Sequence, residues 1–144
     1  MLVAHSAHAE RGLHGGVGAG STFVLSGSEG DRFRYDVIVD LKPRSRYGVV
    51  LAWRAFDQDR RGLVTAGLVY EGAAARPRLV LDLHVDVGAD LDRPAPLAGG
   101  GVRATLTVIG PLGVAFDLAS YLVLDGIDDS RLQLQSNAVL VARW

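Results

Sequence analysis

Eight stretches of this chain carry a strand rhythm, most of them alternating apolar and polar side chains with a period of two, and turn residues separate them. That period belongs to the β-strand, because successive side chains leave opposite faces of an extended backbone. The clearest case is FRYDVIVDLK, residues 33–42. Phe33, Tyr35, Val37, Val39 and Leu41 share one face, and Arg34, Asp36, Asp40 and Lys42 share the other. The last stretch, 131–143, sets Leu132, Leu134, Ala138 and Leu140 against Gln133, Gln135, Asn137 and Arg143. The remaining strands are expected at 21–28, 47–56, 63–71, 77–88, 101–109 and 113–124. The segment 113–124 would also make two helical turns, but Val114, Phe116, Leu118, Leu122 and Leu124 alternate as a strand does. Strand 47–56 is apolar on both faces except at Arg54, which predicts a central or doubly covered position.

The connections EGDR, PRSR, DQDRRG, EGAAA, GPL and DGIDDS are short and rich in turn formers. ADLDRPAPLAGG, with two prolines and paired glycines, reads as the one long loop. Short links join sequential antiparallel neighbours. The expected fold is all-β, with about eight antiparallel strands and an up-and-down β-barrel favoured over a two-sheet β-sandwich. The Gly-rich residues 1–20 read as a flexible arm ahead of a single domain, 21–144.

Bulk composition narrows the function classes. A net charge of −1 leaves no basic footprint for nucleic acid. With 49% hydrophobic and 22% charged residues the chain has the makings of a core. The absence of cysteine excludes disulfides and thiolate metal sites. No run of eighteen apolar residues supplies a transmembrane helix, and the His-interrupted N-terminus lacks a secretory signal. The expectation is therefore a cytoplasmic protein with no nucleic-acid and no membrane partner.

LVLDLHVDVGADLD, residues 79–92, carries the densest set of candidate groups. Asp82, His84 and Asp86 share a strand face, with Leu81, Leu83, Val85 and Val87 on the other. Three alternate residues extend over about 13 Å, too far for all three to hold one ion. The expectation is a solvated face on which His84 bridges two carboxylates, with no metal and no cofactor. In an up-and-down topology alternate loops share one end. That end would collect Glu29, Asp31, Asp57, Asp59, Asp90, Asp92, Asp125, Asp128 and Asp129. Turns attract Asp on their own account, so the cluster has a purely local explanation as well.

Aromatic residues supply the leading functional reading. Tyr35, Trp53, Tyr70 and Phe116 are candidates to line an interior that binds a small, largely apolar molecule, with Arg54 as its polar contact. The architecture is similar to small eight-stranded barrels that hold apolar ligands or cyclise polyketide intermediates. A cyclase-type enzyme acting by enclosure is the catalytic version of this reading, and the sequence leaves carrier and enzyme open. The alternative is a structural or interaction protein that forms a homo-oligomer through apolar strand faces and the N-terminal arm. The stretch VDLKPRSRYGVVLAWRAFDQDRRG resembles a strand–turn segment of the tellurite-resistance stress proteins, which bind calcium. That family's acidic pattern is not reproduced around it. A calcium-binding β module using Asp57, Asp59, Asp90 and Asp92 is the third reading.

Overall fold

The computed structural model describes residues 12–24, 32–42, 46–56, 62–76, 78–91, 94–126 and 130–143. They form eight strands: β1 (Gly12–Val24), β2 (Arg32–Lys42), β3 (Tyr47–Phe56), β4 (Leu63–Arg76), β5 (Leu79–Asp90), β6 (Ala95–Ile109), β7 (Leu112–Leu124) and β8 (Ser130–Arg143). Each pairs antiparallel with its neighbours in sequence, and β8 pairs with β1. The sheet is a closed up-and-down barrel.

The register fixes the barrel's shape. Following paired residues once around the wall leads from His14 through Asp40, Val50, Gly67, Asp86, Gly99, Tyr121 and Gln133 to Val24, an offset of ten residues along β1. With about 3.3 Å per residue and about 4.8 Å between strands, that offset tilts the strands by roughly 40°. The 12 residues of β5 then cover roughly 30 Å of height along the barrel axis. Bulges occur where β4 leaves β5 beyond Glu71 and where β6 meets β7 between Thr107 and Ile109. Both lie near strand ends, where an extra residue releases the ladder.

Two elements begin earlier than the alternation predicts. β1 starts at Gly12, so residues 12–20 belong to the wall, while residues 1–11 lie outside the described part. β6 starts at Ala95, so most of the expected long loop is strand. Pro96 is tolerated there because the ladder between β6 and β7 begins one residue later, at Leu97 and Val123. The tract Gly99–Gly100–Gly101 has a packing cause. A Cβ on Gly101 would stand 2.3 Å from the Leu118 carbonyl oxygen and 2.8 Å from His84 Nε2. One on Gly99 would stand 2.0 Å from the Ser120 carbonyl oxygen. The glycines let β6 approach β7 and leave room for inward side chains.

The decisive feature is which face closes inward. Buried residues of the described part include fourteen polar or charged against thirteen apolar. Along β5, Asp82, His84 and Asp86 are buried, while Leu83, Val85 and Val87 are exposed. The apolar part of the interior falls into two clusters. Leu63, Leu97, Tyr121 and Val123 belong to one, and Ile38, Val50, Ala52 and Val139 belong to the other. The face expected to be solvated is therefore the interior.

Candidate functional site

The two faces of the wall are built from opposite chemistry, and each follows from the alternation. Inward positions of β5 and β7 carry Asp82, His84, Asp86, Asp117 and Tyr121. His84 stands midway along β5, with Nδ1 2.8 Å from Asp86 Oδ2 and Nε2 3.0 Å from Asp117 Oδ1. An imidazolium donates from both nitrogens and an ionised carboxylate only accepts, so the charged ring satisfies both bonds. Tyr121 donates its hydroxyl to the same Asp86 oxygen at 2.5 Å. Arg54, from β3, lies with its guanidinium carbon 5.1 Å from the Tyr121 ring centre and donates to Thr65 Oγ1 at 3.0 Å. On the other side Arg103 Nη2 approaches Asp117 Oδ2 at 3.6 Å. By register Arg103 stands between Asp82 on β5 and Asp117 on β7.

The result is a row of cations and carboxylates of balanced sign across the bore. Groups of this kind are almost never fully buried unless paired. Further along the wall, Gln135 donates to Gln133 at 3.4 Å. Near the end of β5, Arg131 bridges Asp125 at 3.2 Å and Asp90 at 3.8 Å. An eight-stranded barrel is just wide enough for side chains to fill, and here polar side chains supply much of the filling.

The outward face has no such groups. On β3 it carries Tyr47, Val49, Leu51 and Trp53, and on β4 Val64, Ala66, Leu68 and Tyr70. On β5 it carries Leu79, Leu81, Leu83, Val85 and Val87, and on β7 Leu112, Val114, Phe116, Leu118, Leu122 and Leu124. β2, β6 and β8 continue the surface with Val37, Val39, Leu41, Val102, Leu106, Leu132 and Leu140. Among described side chains of the strands, no charged residue points outward. Among the described residues twenty-five large hydrophobics are exposed, and together they encircle the barrel. An ordinary monomer in water exposes apolar patches of only a few hundred Å².

The sequence candidates divide between the two faces. Arg54 is 1% exposed and belongs to the interior network. Trp53 is 44% exposed and Phe116 61%, so both stand on the outer face, away from the bore. Tyr70 is half-buried and packs against Tyr47, its cross-strand partner, with ring centres 5.0 Å apart. These two sit near the end that carries the shorter turns. Tyr35 lies on β2, opposite Ala55, and its side chain is outside the described part. The correction to the aromatic lining follows from the inversion, since residues that share the apolar parity share the outer surface.

The closed up-and-down order does bring the β1–β2, β3–β4, β5–β6 and β7–β8 connections to one end. Of the acids on those connections, Asp90 and Asp125 are described, and both face Arg131. Glu29, Asp31, Asp57, Asp59, Asp92, Asp128 and Asp129 lie outside the described residues. Among the described residues no group of three metal-ligating side chains could hold an ion.

No family, curated protein or solved structure matches the chain. Its function has to be argued from the two faces. Asp117, Tyr121 and Arg103 join the interior network without any local motif of their own in the sequence. Their signal was parity: Asp117 and Tyr121 fall on the same alternate positions of β7, and register pairs Asp117 with Arg103.

Proposed function

We propose that the chain is a bilayer-spanning β-barrel, a closed membrane anchor that presents its connecting loops at the two surfaces. One observation carries this reading. Among the described side chains of the strands, the outer face is uncharged and predominantly apolar around the circumference, while the charged ones face the bore. A lipid-spanning barrel has this pattern, with apolar-out and polar-in residues alternating and every backbone group bonded to a neighbouring strand. The roughly 30 Å height of β5 matches a hydrocarbon core of about 30 Å. The outward Tyr47–Tyr70 pair near one strand end suits the aromatic girdle at a membrane–water boundary.

This proposal replaces the cytoplasmic, membrane-free expectation, which rested on the lack of an apolar helix. No described helix is long and apolar enough to cross a membrane, but a barrel crosses with strands and needs none. It also sets aside an apolar ligand inside, because the centre of the bore offers Arg54, His84, Asp86 and Asp117 to any guest. Homo-oligomerisation through strand faces would cover one sector of the wall, whereas the belt is continuous. A bore filled by side chains favours an anchor over a channel.

Reconstitution tests the reading. The urea-unfolded chain, diluted into phospholipid vesicles, is expected to float with them, resist alkaline extraction and acquire β circular dichroism. Its vesicles should stay electrically tight. A chain that folds as a detergent-free monomer and leaves the vesicles untouched would refute the proposal.

A further inference from the structure

The outer wall is not uniformly convex. From the start of β7 across β8, β1 and β2 lies a groove of about 430 Å³, within the size range of small-molecule sites. Its lining includes Gly16, Val17, Val37, Val39, Leu112 and Leu140. The local sequence explains it. β1 runs Gly15–Gly16–Val17 here, and Gly15 pairs with Val39 on one side and Ala142 on the other. Gly15, on the same outward parity as Val17, leaves the floor as bare backbone, while the flanking strands raise walls of valine and leucine.

No described residue lining the groove has a polar side chain. Neither charge nor a side-chain hydrogen bond selects an occupant, and only a hydrocarbon surface complements it. The groove is continuous with the apolar belt, since Val17, Val37, Val39, Leu112 and Leu140 are all exposed on the outer face. Resting on the bilayer reading, we propose that this groove seats one acyl chain of a membrane phospholipid as a specific site. A bound chain fills a recess that would otherwise leave its lining without contacts on one side.

Native mass spectrometry tests the site after folding into vesicles of phosphatidylethanolamine and phosphatidylglycerol and release into mild detergent. The wild-type chain is expected to retain one phospholipid. Val17→Phe and Ala142→Leu, which fill the groove from β1 and from β8, should each lower retention roughly tenfold, or about 1.4 kcal/mol. Val85→Phe adds comparable bulk to the exposed face of β5 and should leave retention unchanged. No retained lipid, or equal loss in all three variants, would overturn the site. A doubled mass abolished by Val17→Phe would overturn it too, by assigning the groove to a second copy of the chain. Failure of the wild-type chain to enter the vesicles at all would instead count against the bilayer reading.

Discussion

The two faces of β5 make the most instructive comparison in the molecule. Leu83, Val85 and Val87 point outward, and Asp82, His84 and Asp86, from the intervening positions, point into the bore. In a protein folded in water the first set would form the core and the second would be hydrated. Here the relation is reversed, and both sets depend on the reversal. The carboxylates and the imidazole are tolerable because a closed wall brings Asp117, Tyr121 and Arg103 within reach. The aliphatic residues are tolerable only if something other than water covers them. Charge placement is therefore the sharper criterion, since a charge buried without partners costs far more than an apolar group left wet.

Four substitutions can break or sharpen that contrast. The largest effect is expected inside. Asp117→Ala removes a partner from His84 and from Arg103 and should destabilise by about 3–5 kcal/mol. Urea titration of the reconstituted barrel measures it, and a loss under about 1 kcal/mol would mean that the interior behaves like an exposed surface. Next comes Val85→Arg on the outer face, at a side chain 68% exposed. A bilayer predicts a loss of about 2–4 kcal/mol near its midplane. An exposed site in water predicts a change within about 0.5 kcal/mol, so this one variant separates the two environments.

Tyr121→Phe keeps the ring beneath Arg54 and deletes the hydroxyl that Asp86 accepts. A hydrogen bond to a charged group sets the expected loss at about 1.5–3 kcal/mol. The unfolding midpoint would shift with an unchanged denaturant slope, and an unshifted midpoint would remove this bond from the network. The smallest effect belongs to Tyr47→Leu, which preserves apolar surface but ends the pairing with Tyr70. About 0.5–1.5 kcal/mol is expected. A double-mutant cycle with Tyr70→Leu isolates the coupling, and strict additivity would show that the rings only happen to be adjacent.

Much of the wall was legible in the sequence. Eight alternating stretches correspond to the eight strands, and β3 was bounded correctly at residues 47–56. Glycine and proline are loop signals in a sequence, so the pattern predicts later starts for β1 and β6 than the structure has. In the wall, Gly99 and Gly101 are demanded by the close approach of β7 and by His84, which is a tertiary fact. Of the candidate residues, Arg54 was marked by its isolation in an otherwise apolar strand, and it does belong to the buried network. Asp117 drew no notice because its relation to His84, 33 residues away, exists only once β5, β6 and β7 lie side by side. Trp53 and Phe116 were assigned inward because aromatic residues ordinarily fill cores.

What the sequence determined by itself is the period. Most strands have two unlike faces, β3 being apolar on both except at Arg54, and every residue belongs to one of them. Which face turns inward is undetermined by alternation, because a pattern of period two reads the same when its faces are exchanged. The tertiary structure decided that point through closure. Charged side chains from separate strands are brought within 3.0–3.6 Å of one another across the bore, and inward glycines make room for them. On β5 the leucines and valines of the opposite parity, Leu83, Val85 and Val87, then have no position left except the outer surface.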